Sequence, residues 1–333
     1  MRNISRSDVL RGLVGLGAAA ACPRIARAQN FNFSIGHPLT TLDSIHIGAL
    51  RFKEYAEHNS GGRITVKIFP GSVLGSSREM AQQVSHGEIF GVIDATAKFE
   101  TFAPEFALLD IPFLAKDASS AFKTMDSPAA AHLIGDKSAK AGFRFVHGWE
   151  VSFRDIYTKS RPITSMTDLK GLKIRVIPAP TYINLFRAFG AAPTPMGFGE
   201  LYTALQQGVV DGAENDILTY QDSKHFEVAP LLAITNHMML INALFVSESI
   251  WNSLPADIRG VVAAASLEGR KATMDDRNRR QSSTLDHLRS AKVKISQPEL
   301  APFIQASEQT RPWFVEKFGK EAVQSMLEAN AAG

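Results

Sequence analysis

Three polar residues of the 333-residue chain stand at the ends of short extended runs: Arg154, Arg175 and Asn215. Arg175 lies in Lys173-Ile174-Arg175-Val176, a β-like run with apolar residues at alternate positions, after the turn signal Lys170-Gly171. Alternation aims Ile174 and Val176 at a core and Arg175 the other way. A guanidinium held on a strand can form two parallel hydrogen bonds to a carboxylate, which the point charge of a lysine cannot copy. The chemistry this predicts is recognition of an organic anion. Arg154 has the same alternation in Phe153-Arg154-Asp155-Ile156, although Asp155 or Glu150 could pair with it for purely structural reasons. Asn215 closes Asp211-Gly212-Ala213-Glu214-Asn215, where an asparagine can equally serve as a turn cap.

Bond-making chemistry has much weaker support. The sequence has no HExxH, GxSxG, CxxC or phosphate-loop glycine-lysine motif, and its nine histidines are scattered without ligand spacing. No metal and no cofactor is therefore expected, and the chain reads as a binding protein rather than an enzyme. A secreted α/β enzyme acting on an acidic sugar stays open as an alternative; Asp211 and Glu214 could pair as carboxylates, although their place in a turn gives them a structural explanation.

The elements that must position these residues alternate between strand and helix. Phe31, Phe33 and Ile35 alternate up to Gly36-His37-Pro38, a strand that stops at a turn. A helix follows over roughly 43–58, with Leu50, Phe52 and Tyr55 on its apolar face and Gly61-Gly62 as its stop. Ile64, Val66 and Ile68 make a second strand, Ser76 or Ser77 caps a helix running to Gly87, and 90–95 forms a third strand. This order predicts a mostly parallel sheet with helices on its faces and ligands beyond the carboxyl ends of its strands. His37, Thr96, Trp149 and Asn215 fall just after such predicted ends. The pattern restarts with strands at 153–158 and 173–177 and helices near 180–189 and 199–208, and it turns apolar again at 242–246. From Pro255 to about Ser290, charged residues at helical spacing predict one extended amphipathic helix.

Residues 1–28 read as an export signal: Arg2, Arg6 and Arg11, an apolar stretch from Leu10 to Ala21, and Ala26-Arg27-Ala28 as a small-x-small cleavage site. The stretch is too short to span a bilayer, which needs about 20 residues. Cleavage after Ala28 predicts a periplasmic protein starting at Gln29. Cys22, the only cysteine, lies inside the leader in a lipobox-like setting that lacks the usual leucine and is followed by proline. The leader carries five Arg and one Asp, so its removal takes the formal charge from +3 to −1. Near-neutrality leaves no electrostatic footprint for nucleic acid or an acidic membrane surface. About 305 remaining residues favour two lobes over a single core.

Segments 153–163, 167–176 and 190–212, together with Gly62-Arg63-Ile64-Thr65-Val66, Phe69-Pro70, Leu74-Gly75, Leu109-Asp110-Ile111-Pro112-Phe113, Thr235-Asn236-His237 and Leu254-Pro255, resemble the solute-binding proteins of tripartite ATP-independent periplasmic (TRAP) transporters, the C4-dicarboxylate and sialic-acid type. The resemblance covers nearly all of the chain beyond the leader. It implies an α/β, two-lobed, periplasmic-binding-protein-like fold with a long helix bracing both lobes. The first lobe would comprise 29–151 plus about 241–280, and the second 152–240 plus about 281–333. It also implies a carboxylate anchor at Arg175 helped by Arg154 and Asn215, with Phe198 and Trp149 lining the cleft. His37, Thr96 and Glu79 complete the candidate ligand contacts, although Phe198 and Trp149 could be plain core, His37 a turn residue and Glu79 a helix-dipole partner. The ligand is read as an organic acid, leaning to a sugar or hydroxy acid, with Thr96, Lys98 and Glu150 suited to hydroxyls. Membrane permease subunits are the implied partner and a monomer is expected; an ABC-type or chemoreceptor-linked binding protein is the further alternative. Where the family continues Glu-Asn-Pro, this chain has Asp216 after Asn215.

Overall fold

A computed structural model describes residues 30–331 apart from Lys116. The leader, Cys22 and the predicted cleavage site lie outside the described residues. Among the described residues nine strands form one sheet: β1 (Phe31–Gly36), β2 (Ile64–Phe69), β3 (Gly91–Ala95), β4 (Phe143–Thr158), β5 (Lys173–Val176), β6 (Ala192–Pro195), β7 (Gly212–Asn215), β8 (Leu231–Ser247) and β9 (Lys294–Ser296). Their order is β2-β1-β3-β8-β4-β7-β5-β6, with β9 beside β8. β1 runs parallel to β2 and β3, and β5 runs parallel to β6 and β7, so each end of the sheet is a parallel unit with crossover helices.

β4 and β8 join the two units. At 16 and 17 residues each reaches about 55 Å, roughly three times a typical strand. Near one end β8 pairs with β3 through Asn242–Val246, and near the other β4 pairs with β7 through Asp155–Thr158. The two long strands pair with each other throughout, with register shifts between Phe145 and His147, Gly148 and Glu150, and Arg154 and Ile156.

The full extent of these strands departs from the sequence reading, which had only 153–158 and 242–246. Thr235-Asn236-His237, one of the segments that carry the family resemblance, forms a bulge within β8. Asn236 takes a left-handed φ of 43°, and the Asp155 carboxylate accepts the backbone N–H groups of Thr235 (2.8 Å) and Asn236 (3.0 Å). A buried side chain thus satisfies the donors that the bulge removes from the ladder, and the strand continues.

The helices follow their caps. Asp43 accepts from Ile45 N at the start of helix Ser44–Asn59, and Ser76 with Glu79 forms a reciprocal capping box on helix Ser77–His86. Phe52 is fully buried, whereas Leu50, expected on the apolar face, is 45% exposed because it points away from the sheet. The helix expected over 199–208 begins as a 3-10 turn at Phe198–Glu200 and becomes α-helical at Leu201–Gln207.

Helix Ala256–Ser290 is unbroken for 35 residues, about 52 Å. Its buried stripe is apolar at the two ends, at Ile258, Val262 and Ala265 and again at Leu288. Between them it runs through Ser266, Gly269, Thr273, Asp276, Arg277 and Thr284, so the middle of the helix is not amphipathic in the ordinary sense. Gly269 is required by close approach: a Cβ there would lie 2.6 Å from the Trp149 ring. Arg277 bridges Glu150 of β4 (2.6 Å) and Asp216 (2.9 Å), tying the helix through buried ion pairs to a joining strand and to the end of β7.

Candidate functional site

The end of β5 places Arg175 as alternation predicts. Ile174 and Val176 are fully buried in apolar packing. Arg175 is also only 1% exposed, because its face of the strand looks into an internal cavity rather than bulk water. Its Nε and Nη2 both donate to the backbone carbonyl of Met196, at 3.0 and 2.8 Å. The Phe198 ring lies 6.0 Å from its Cζ. Among the described residues no acceptor meets Nη1, and no carboxylate pairs with Arg175. Burial lowers its pKa from the usual arginine value, with Glu214 and Tyr157 pulling the other way. The guanidinium is therefore held side-on by a carbonyl and leaves its terminal edge, Nη1 with the second N–H of Nη2, available for a carboxylate fork.

Arg154, also 1% exposed, is arranged differently. Its Nε and Nη2 grip both carboxylate oxygens of Glu214, Nη2 also donates to the Glu214 carbonyl (2.6 Å), and Nη1 donates to Asn215 Oδ1 (2.8 Å). One of its five N–H groups remains. Burial weighs against its charge, but the Glu214 carboxylate outweighs burial and raises its pKa. Burial likewise opposes ionisation of Glu214, and Arg154 reverses that effect and lowers its pKa. The pair is neutral overall and positions Asn215, whose Oδ1 is spent on Arg154 and on the Asp216 N–H (3.0 Å). Its Nδ2 is left to donate into the cavity.

Asp216, where the resemblance leads one to expect proline, caps helix Ile217–Asp222 by accepting from Leu218 and Thr219 N–H. It also receives Arg277. The departure thus creates an anchor for the long helix and leaves Asn215 in place.

Arg154, Arg175, Asn215 and Phe198 converge on one small cavity of about 30 Å³ that also includes Asp94, Lys98, Thr219 and Asn242 in its walls. The other candidates lie elsewhere. Trp149 is inside β4, fully buried, and donates from Nε1 to Ser266 Oγ (2.8 Å), so it seats the long helix. Thr96 is buried beside β8 with its hydroxyl directed at the Ile241 carbonyl (3.4 Å). His37 is buried against His46 (Nε2 to Nδ1, 3.1 Å), and burial drives its pKa to about 3. Glu79 is exposed in its capping box. Glu150 is taken by Arg277 and Asn242.

Asp94, Asn242 and Thr219 were missed by sequence reasoning, since nothing local marks an Asp in an apolar strand or an Asn in a long one as cavity-facing. Lys98 donates to Asp94 Oδ1 (2.5 Å) and Ser77 Oγ (3.0 Å). Burial lowers its pKa and Asp94 opposes that shift.

The four other cavities described are larger, and the two lined by Arg277 and Arg144 measure about 400 and 490 Å³. Their arginines are spent in ion pairs, Arg277 with Glu150 and Asp216, and Arg144 with Glu248. Chemistry therefore favours the smaller cavity over volume. The model of the DctP family, bacterial extracellular solute-binding protein, family 7, matches residues 35–317. The chain belongs to this family.

The family-7 chain is 30% identical over 283 residues to the 2,3-diketo-L-gulonate-binding periplasmic protein YiaO of Escherichia coli K12, covering 84% of each. It is 28% identical over 270 residues to the sialic acid-binding periplasmic protein SiaP of Vibrio cholerae, covering 81% of this chain and 84% of that one. A TRAP periplasmic solute binding protein from Polaromonas sp. JS666, bound to D-erythronate, matches with a TM-score of 0.86 at 30% identity over 90% of this chain and 98% of that one. One from Anaerococcus prevotii with bound D-glucuronate matches at 0.87 and 27% identity, over 91% and 99%. The family-7 protein thus has the two-lobed fold of TRAP solute-binding proteins and is a periplasmic solute-binding protein of that class.

Proposed function

We propose that this protein captures an organic acid, of the sugar-acid or hydroxy-acid kind, with Arg175 as the carboxylate anchor, and delivers it to a TRAP membrane permease. The observation that carries this is the free terminal edge of the Arg175 guanidinium, buried, charged and unpaired beside a cavity. A buried cation without a counter-ion is costly, so an anion there recovers both charge pairing and hydrogen bonds. Asn215 adds donors from Nδ2, Arg154 contributes its last N–H and holds Asn215, and Phe198 flanks the anchor. Relatives and structural neighbours with sugar-acid ligands support the choice of ligand class.

In this reading the first lobe is 29–151 plus about 241–280 and the second is 152–240 plus about 281–333, with the passage of β4 and β8 between them as the hinge. A ligand that touches both sides shifts the population toward the closed form. The leader directs export, with the mature chain starting at Gln29, and the closed monomer is the species the permease receives.

A thermal-shift screen of the purified mature protein over erythronate, galactonate, glucuronate, galacturonate, diketogulonate and sialic acid tests the ligand class. A binder at a hundredfold its Kd adds about 2.7 kcal/mol of stability. Silence from every acid, with the protein folded, would overturn the reading. Intact mass of the exported protein tests the cleavage site, and uptake by permease-containing vesicles with and without the protein tests delivery.

A further inference from the structure

We infer that the cavity selects acids with a single carboxylate and hydroxyl donors at the far end, and that Asp94 is the residue that rejects a second carboxylate. This rests on carboxylate capture by Arg175. The groups left free in the cavity wall are sorted by strand. On the β5–β7 side stand donors: the terminal edge of Arg175 and Nδ2 of Asn215. On the β3–β8 side stand acceptors. Asp94 is 2% exposed; its Oδ1 takes Ala95 N–H (2.8 Å) and Lys98 Nζ, while Oδ2 has no partner. Asn242 is 6% exposed; its Nδ2 donates to Glu150 (3.3 Å), and among the described residues nothing donates to its Oδ1. A buried carboxylate oxygen without a donor is expensive to leave bare, so this wall calls for a hydroxyl or another donor.

Charge counting points the same way. Among the charged side chains lining the cavity, Arg154 is matched by Glu214 and Lys98 by Asp94. Arg175 alone lacks a carboxylate partner among the described residues. One unmatched positive charge suits a monoanion. A dicarboxylate long enough to span the cavity would place its second charge against Asp94 Oδ2, a like-charge contact in a buried site, and would also lack the donor that oxygen needs. A simple fatty acid would satisfy Arg175 but leave Asp94 and Asn242 bare.

The test is calorimetry on the wild-type mature protein with two matched series. One is erythronate, tartrate and butanoate; the other is galactonate, galactarate and hexanoate. In each, the acids share a carbon-chain length; the diacid carries a carboxylate in place of the far-end hydroxyl, and the hydrocarbon acid lacks every hydroxyl. The hydroxy monoacid of at least one series should bind about 100-fold more tightly than its diacid and its hydrocarbon analogue. Asp94→Asn, which replaces the bare acceptor with a neutral amide, should weaken the monoacid about tenfold or more and shrink its margin over the diacid. A diacid binding within tenfold of its monoacid, binding confined to acids other than hydroxy monoacids, or a folded Asp94→Asn protein with an unchanged margin would overturn the inference and leave Arg175 as a carboxylate anchor. The wild-type comparison decides even if that variant does not fold. Failure of every acid, including those of the wider panel, would instead remove the carboxylate reading itself.

Discussion

The backbone carbonyl of Met196 accepts two hydrogen bonds from Arg175, at 3.0 and 2.8 Å, and so fixes which edge of the guanidinium faces the cavity. A main-chain acceptor on the segment following β6 cannot rotate away as a side chain could. The anchor is therefore pre-oriented, which reduces the ordering cost of binding.

Arg175→Lys keeps the charge but offers neither the side-on grip on Met196 nor the terminal fork. Affinity for the best acid of the screen should fall at least 100-fold, in line with about 2 to 5 kcal/mol for truncating a buried charged contact. Calorimetry checks this, and near-wild-type affinity would mean the carboxylate sits elsewhere.

Arg154 should matter more to folding than to binding. Removing it as Arg154→Met leaves the fully buried Glu214 with only His237 at 3.7 Å, at a cost of about 3 to 5 kcal/mol in urea unfolding. Adding Glu214→Leu should recover much of that loss, because no charge is then stranded. A single variant as stable as wild type would show that the pair is not the structural unit described above.

Glu100 predicts a pH dependence. Its Oε1 accepts from Thr181 Oγ1 (2.5 Å), Oε2 has no partner, and burial lifts its pKa to about 8. Nearby Asp110, also without a partner, is pushed well up by burial and by Glu100. A raised folded-state pKa gives stability that is whole below the ordinary glutamate value near 4.5 and is lost as pH climbs through about 8. Glu100→Gln should therefore gain melting temperature over wild type at pH 8 compared with pH 5. A difference that stays constant across that range would contradict the buried, protonated carboxyl.

Gly269→Ala tests how the long helix is seated. The new methyl would meet the Trp149 ring at 2.6 Å, and the rigid indole cannot move aside without losing its bond to Ser266, so a stability loss of about 1 to 3 kcal/mol is expected. The order of ligand preference should stay unchanged, since neither residue lines the cavity. A changed order would place Trp149 in ligand selection after all.

Local chemistry in the chain itself determined a good deal: the β1–helix–β2–helix–β3 order, the caps at Asp43 and Ser76, the uninterrupted helix from Ala256, and the alternation that turns Arg175 away from the Ile174 core. These are legible because propensity, capping and periodicity act within a few residues. Tertiary structure decided the rest. Whether an arginine is spent or free depends on partners far along the chain, Glu214 for Arg154 and Met196 for Arg175, and no spacing rule encodes that. Trp149, Thr96, His37 and Glu79 have residue types that suit a cleft, yet each is occupied by packing, pairing or capping. Asp94 and Asn242 enter the cavity only because β3 is laid against β8 in a register that lies between segments some 150 residues apart. Strand-end position in sequence says that a side chain is near a site; the pairing of distant strands decides which of its atoms still lacks a partner.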